Sequence, residues 1–454
     1  MTAAPGDLRR TLGFTDLVMV TLGCVIGSGI FLVPGVVLRQ TQGRVGLALT
    51  IWFVAGVLSL LGAFTYAELG AMKPDAGGLY TYIRDAFGTL PAFLYGWASF
   101  FVISSGSIAT LAVAFSAYLG QIVPLSSAAA KVVSLLMILA ITVVNVIGTR
   151  RSATMQNWTT GAKVLGLVAL SVAMIALGHG ERSVVPAPQA MSPMSLLPGI
   201  GVAMIGVLWA YEGWQYVTFS AGETRDPQRV FPRAIAIATF VLIVLYILAN
   251  VGYIAALGPI AASRSDHVAA DAMRAVLGPT SGNLLSALVL VSIFSAANGL
   301  MLTTPRMYFA MARDGVFFER LASVHPRFGT PAFAVIALAV WSAVLALSGT
   351  FEQLLTYVVF AGWIFYGLGA TAVFVYRRRQ PDAVRPFRTP GYPVTPVLFV
   401  ASAAALVLST LVAQPVRGAV GLAAVLIGTP AFYMWRARRR LAPAAPPAET
   451  SGER

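Results

Sequence analysis

Val25-Ile26-Gly27-Ser28-Gly29-Ile30-Phe31 interrupts the first apolar segment of the chain, residues 13 to 38. That segment is long enough to cross a bilayer, which takes about 20 residues. Its middle nevertheless holds glycine, serine and glycine, poor residues for a continuous helix. Backbone that leaves the helix at membrane depth is tolerated only where it is buried in protein or lines a wet cavity. A second interruption lies in the sixth apolar segment, at Trp209-Ala210-Tyr211-Glu212-Gly213-Trp214, and it carries an acid. Broken helices at corresponding places in two halves of a chain point to a binding site at the membrane midplane.

The remainder of the 454 residues fits that setting. The chain is 57% hydrophobic and 11% charged, with a mean hydropathy of +0.79, whereas a soluble domain is about 25% charged. Twelve spans are expected, near residues 13–38, 46–71, 89–119, 130–148, 154–178, 196–221, 231–257, 283–312, 331–348, 353–376, 394–413 and 418–435. The third and eighth exceed the bilayer thickness and are expected to tilt or protrude. A net charge of +14 invites a nucleic-acid partner. Its distribution argues for a membrane instead: with the N-terminus inside, 23 Lys and Arg fall in inside segments and 7 in outside ones. The positive-inside rule then places both termini in the cytoplasm, and no nucleic-acid partner is expected. The single cysteine, Cys24, falls within the first span, so no disulfide-linked heavy subunit is expected. Residues 1–440 read as one transmembrane domain, and the Ala/Pro-rich stretch 441–454 as a disordered cytoplasmic tail.

The chemistry of the broken segments follows from freed backbone groups. Where a helix restarts at Gly27-Ser28-Gly29, its first N–H groups lack intrahelical partners and suit a carboxylate, aided by the positive end of the half-helix dipole. Ser28 adds a hydroxyl donor, and the glycines admit close approach. Half-helices that end near Val25 and near Trp209 to Tyr211 leave carbonyls that accept from an ammonium group. Donors and acceptors this close match one ligand class, the α-amino acid zwitterion. Taken singly, such glycines also serve close helix packing; the pairing of the two breaks favours the site.

The stretches GSGIF at 27–31, YAELG at 66–70, PDAGGLYTY at 74–82, WAYEGW at 209–214, GETRDPQRVFPRAI at 222–235 and RMYFAMARDG at 306–315 run through both halves. In these, the chain resembles the amino acid–polyamine–organocation (APC) superfamily, especially L-type amino acid transporters and their prokaryotic relatives. The resemblance implies an all-α LeuT-type fold: a 5+5 inverted repeat over about 13–178 and 196–376, with helices 1 and 6 broken, plus two helices over about 394–435. It assigns Gly27, Ser28 and Gly29 to the substrate carboxylate. Cys24 and Val25 match substrate-facing neighbours. Trp209 matches an aromatic that caps the substrate, with Ala210, Tyr211, Glu212 and Gly213 completing the broken sixth helix. Glu212 departs from mammalian L-type members, which carry glycine there.

Two charges lie at membrane depth. Lys163, about ten residues into the fifth span, is a functional candidate by its depth alone, with snorkelling to the interface as the bland alternative. In TTGAKVLGL at 159–167 it resembles the fifth-helix lysine that takes the place of a sodium ion in sodium-independent relatives, and Ser292 is the expected partner from span 8. Glu212 has three readings: it binds the substrate's ammonium, carries a proton, or satisfies the sixth-helix break. The expected function is sodium-independent secondary transport of neutral L-amino acids in the plasma (cytoplasmic) membrane, as exchanger or proton-linked permease. Cationic amino acids or polyamines read by Glu212 are the alternative, and a non-transporting amino acid sensor is another. Three scattered histidines and one buried cysteine give no catalytic constellation, so no enzyme activity, metal or cofactor is expected.

Overall fold

The computed structural model describes residues 8–180, 193–348, 351–413 and 415–441. The tail from residue 442, expected to be disordered, lies outside the described residues. Among the described residues every element is helical, apart from an isolated parallel bridge between Leu12 and Thr224. In chain order the helices are α1 (Phe14–Val25), α2 (Gly29–Gln40), α3 (Val45–Met72), α4 (Leu79–Phe87) and α5 (Thr89–Ile122). There follow α6 (Ser127–Ile147), α7 (Thr149–Leu177), α8 (Pro193–Ala210), α9 (Pro227–Leu257), α10 (Pro259–Arg264) and α11 (Val268–Leu277). The last are α12 (Gly282–Arg313), α13 (Ala332–Ser348), α14 (Phe351–Arg379), α15 (Val394–Ala413), α16 (Pro415–Leu426) and α17 (Gly428–Leu441).

Among the described residues nine helical stretches are long and apolar enough to cross a membrane, and the bent pair α1 and α2 makes a tenth. Two of the twelve expected spans stand apart from these. The sixth is split into α8 and a 3₁₀ segment, Trp214–Glu223, and the ninth is the 17-residue α13. The fifth helix begins at Thr149, some five residues earlier than the hydropathy suggests, because Gly148 with φ +159° ends α6 and restarts the chain at once.

The breaks have local causes. At the end of α1 the Ile26 N–H still reaches Leu22 O at 2.9 Å, but Gly27 N–H folds back onto Val25 O at 2.8 Å and the ladder stops. The chain restarts in α2 after a bend of 48°. After α8, Gly213 takes φ +132°, and a Cβ there would lie 2.8 Å from the backbone carbon of Cys24. Only glycine therefore joins the two broken helices this closely. In α5 a π turn at Ser99–Ile103 inserts one residue and turns the following face by roughly 100°.

Packing explains the polar residues of α7. Its inner face carries Ser152, Gln156, Thr160 and Lys163, all buried, while Trp158, Leu165 and Val172 are exposed on the other. The inner face meets α1 and α12. Gly23 makes the contact possible, since a Cβ there would lie 1.8 Å from Gln156 Nε2. Asn145 Nδ2 donates to Asn298 Oδ1, Asn298 Nδ2 to Gln156 Oε1 and Ser152 Oγ to Asn145 Oδ1, each at 2.8 Å. These bonds tie α6, α7 and α12 together, each contributing about 0.6 kcal/mol on average in membrane bundles.

At the Arg-rich end of the bundle three paired carboxylates are buried. Arg306 and Glu223, both essentially without exposure, pair with Thr149 between them. Asp16, in the first turn of α1, accepts from Gly13 N, Arg150 and Asn157. Glu68 of α3 accepts both arms of Arg377 at 2.9 and 2.7 Å and the Thr389 N–H at 2.7 Å, while the Arg377 guanidinium lies 3.8 Å from the Tyr392 ring centre. Arg377, the first arginine of the 377–379 run, is thus a structural clamp. At the opposite end Arg39 donates to Ser263 O and to Asp266 at 2.7 Å, which holds that exposed carboxyl below its ordinary range.

Removing one partner of a buried, hydrogen-bonded ion pair costs about 3–5 kcal/mol. Glu68→Ala is therefore expected to lower the melting temperature of detergent-solubilised protein clearly, with Arg377→Lys retaining part of the loss because it keeps the charge without the fork. Melting followed by monodisperse gel-filtration yield checks this, and an unchanged midpoint for Glu68→Ala would refute the clamp.

Candidate functional site

The two breaks face one narrow cleft of about 80 Å³. Its walls include Cys24, Val25, Gly27, Ser28 and Gly29 from the first break and Trp209, Ala210 and Glu212 from the sixth. Tyr211 and Gly213 lie outside it. Tyr211 is buried against Trp52 and Tyr246, and Gly213 against the Cys24 backbone.

The first break presents donors. The first ladder bond of α2 runs from Phe31 N–H to Ser28 O at 3.1 Å, so the N–H groups of Ser28, Gly29 and Ile30 precede the ladder. Gly27 is the open position: nothing lies closer than 4.0 Å to a Cβ built on it. Gly29 is the closed one, with Ala210 Cβ at 2.9 Å. This arrangement is an oriented set of backbone donors at a helix start, able to hold an anion.

The carbonyls freed at the breaks are answered by three side chains. Lys163, 1% exposed, donates from Nζ to Gly23 O and Ile26 O at 2.7 Å each and to Ser292 O at 3.5 Å. Ser292 Oγ donates to Ile26 O at 2.8 Å and Gly27 O at 3.2 Å. Tyr246 of α9 donates toward both Val25 O at 3.2 Å and Ala210 O at 3.0 Å, bridging the two broken helices. Lys163 lies about 21 Å along α7 from Thr149 at 1.5 Å per residue and points inward, so it does not snorkel.

Glu212 shares the cleft but is tied back. Its Oε2 accepts from Trp363 Nε1 at 3.2 Å and its Oε1 from Tyr366 Oη at 3.0 Å. Tyr366 Oη also lies 3.3 Å from Tyr216 Oη. Among the described residues no cation forms an ion pair with Glu212, and no carboxylate with Lys163.

The rest of the lining was not reached from the sequence: Ser107, Thr110 and Leu111 of α5, Tyr216, Ala296 and Leu300 of α12, and Val358 of α14. Their signal is weak because small and aliphatic residues are ordinary in any span. In α5 Ser104 and Ser105 lie outside the lining, where Ser104 bonds Ser99 and Ser105 bonds Phe100 O. The π turn sends Ser107 and Thr110 into the wall instead. Glu223 and Arg306, which fall in the 222–235 and 306–315 stretches, meet away from the cleft.

The comparisons with known proteins agree with this geometry in kind. The amino acid permease family profile matches residues 12–433. The chain is 30% identical over 443 residues to the serine/threonine exchanger SteT of Bacillus subtilis (strain 168), covering 97% of this chain and 100% of that one. It is 32% identical over 436 residues to the human cystine/glutamate transporter, covering 94% and 86%. It is 33% identical over 420 residues to the human b(0,+)-type amino acid transporter 1, covering 90% and 84%. The chain belongs to the amino acid permease family within the APC superfamily, and is a multi-pass membrane transporter rather than an enzyme.

Proposed function

We propose that this chain is a sodium-independent secondary transporter of neutral L-amino acids that works by alternating access as an exchanger. The observation that carries the reading is the pair of broken helices facing one cleft, with the Ser28 and Gly29 N–H groups on its wall ahead of the α2 ladder. The carboxylate of an amino acid fits them. On this reading residues 1–440 form one transporter domain of twelve spans in the LeuT arrangement, with repeats over about 13–178 and 196–376. Both termini lie in the cytoplasm and the protein sits in the plasma membrane. SteT is named an exchanger, and the human relatives are named transporters of amino acids, which supports amino acid exchange here.

Sodium independence rests on Lys163. Its ammonium takes the carbonyls of Gly23 and Ile26 beside a serine hydroxyl, an oxygen cluster of the kind a hard cation prefers. A fixed cation in that place removes the need for a mobile one. One observation favours a second reading: Glu212 is a cleft-lining carboxylate met only by neutral donors, which suits a cationic amino acid or amine.

Uptake into proteoliposomes decides between these. Neutral amino acids are expected to enter without sodium, faster when the lumen is preloaded with substrate. Uptake confined to cationic substrates would instead assign Glu212 to the ligand, and binding without uptake would make the chain a sensor. Gly27→Trp places a ring in the open part of the cleft and is expected to abolish uptake while leaving folding and membrane insertion intact; normal transport would refute the site.

Lys163→Ala removes two charge-assisted hydrogen bonds, each contributing about 1.5–3 kcal/mol. Turnover is expected to fall at least about tenfold, with substrate affinity changed less. An unaltered rate in reconstituted vesicles would reduce Lys163 to a passive packing element.

A further inference from the structure

Thr110 carries a hydroxyl that the protein leaves unused. The residue is 4% exposed and lies on the wall of the cleft, yet its Oγ1 has no hydrogen-bond partner. Thr21, Thr142 and Thr239 by contrast return this proton to the carbonyl one turn back, to Leu17 O at 2.7 Å, Ile138 O at 2.6 Å and Ile235 O at 2.8 Å. A buried hydroxyl without a partner is unfavourable and calls for an explanation at a functional site. Ser107, three residues earlier on the same wall, donates to Ile103 O at 2.7 Å. Ala296, Leu300 and Val358 elsewhere in the lining offer no side-chain hydrogen-bonding group, and Glu212 is engaged by Trp363 and Tyr366.

We infer that Thr110 reads the substrate's side chain, and that the preferred substrates are small neutral amino acids bearing a side-chain hydroxyl. The inference rests on the neutral amino acid reading of the cleft and narrows it. A ligand hydroxyl both donates and accepts, so it completes Thr110 whichever way the threonine proton turns. A methyl group of the same size fills the space but leaves Thr110 Oγ1 unpaired, and buried groups left unpaired are what make a site reject an isostere. The π turn at Ser99–Ile103 is part of the device, because it sets which face of α5 reaches the cleft.

The test compares isosteric pairs in proteoliposomes: L-serine against L-2-aminobutyrate, and L-threonine against L-valine, with L-alanine as the common reference. The wild type is expected to take the hydroxylated member with kcat/KM at least about tenfold higher. Thr110→Val and Thr110→Ala both remove the hydroxyl and are expected to bring the ratio near one, each ratio being read beside that variant's own alanine uptake. Thr110→Ser keeps the hydroxyl and is expected to keep the ratio. A wild-type ratio near one, or a ratio unchanged in whichever hydroxyl-free variant still carries alanine, overturns the role of Thr110 and leaves the transporter reading standing. Loss of alanine uptake in both hydroxyl-free variants, with Thr110→Ser active, also overturns it by making the hydroxyl a requirement of the scaffold. Failure of the wild type to carry any neutral amino acid overturns both.

Discussion

Backbone groups set free inside a membrane protein have no water to turn to, and each one left alone costs several kcal/mol. This structure opens two helices at depth and therefore has to answer those groups one by one. Lys163 and Ser292 take the carbonyls at the end of α1. Tyr246 takes one carbonyl from each break, and Gln215 Oε1 accepts the Gly213 N–H at 3.1 Å. What remains uncommitted is concentrated at the start of α2, where the N–H groups of Ser28 and Gly29 border the cleft. The site is the part of the problem that the protein does not solve for itself.

The answering groups require a scaffold that brings them to the breaks. Lys163 reaches Gly23 O because α7 lies against α1 without a side chain at Gly23, and α7 is held there by amides and hydroxyls shared with α6 and α12. At the Arg-rich end, Leu12 exchanges backbone bonds with Glu223 and Arg225, while Glu223 pairs with Arg306 and Thr149. The outer ends of the two broken helices are thus fastened to each other and to α7 and α12. A buried ion pair adds little to stability compared with an apolar substitute, but it fixes register between elements whose own helices are interrupted.

Much of this was legible in the sequence, for reasons that differ residue by residue. Glycine and serine in the middle of an apolar run announce a break once a second interruption answers them in the sixth segment, and Lys163 announces itself by the expense of its depth. Glu212 could be placed but not assigned, because its partners Trp363 and Tyr366 come from α14, some 150 residues away. Tyr246, which joins the two breaks, looked like one more aromatic in an apolar span. Ser107 and Thr110 were hidden by the π turn: helical periodicity carried from Thr89 points to a different face of α5. The membrane class follows from composition alone, whereas the pocket wall depends on register and distant pairing.

Lys163 and Glu212 place ionisable groups of opposite sign beside the two breaks, and each is met only by neutral groups: carbonyls for the lysine, an indole and a phenol for the glutamate. Groups of this kind are tolerated at depth when the surrounding dipoles are already oriented toward them. On the proposed reading the consequence is electrostatic economy. A zwitterion has no net charge, so it adds only a dipole to a site whose own ionisable groups are separately accommodated, and its carboxylate meets backbone N–H groups aimed to receive it. A ligand with an additional cation would have to draw Glu212 away from Trp363 and Tyr366, exchanging two existing hydrogen bonds for one new ion pair. If the substrate is neutral, as proposed, the hydrogen bonds that hold Glu212 act as a threshold against cationic side chains through the geometry of α14 rather than through the absence of an acid.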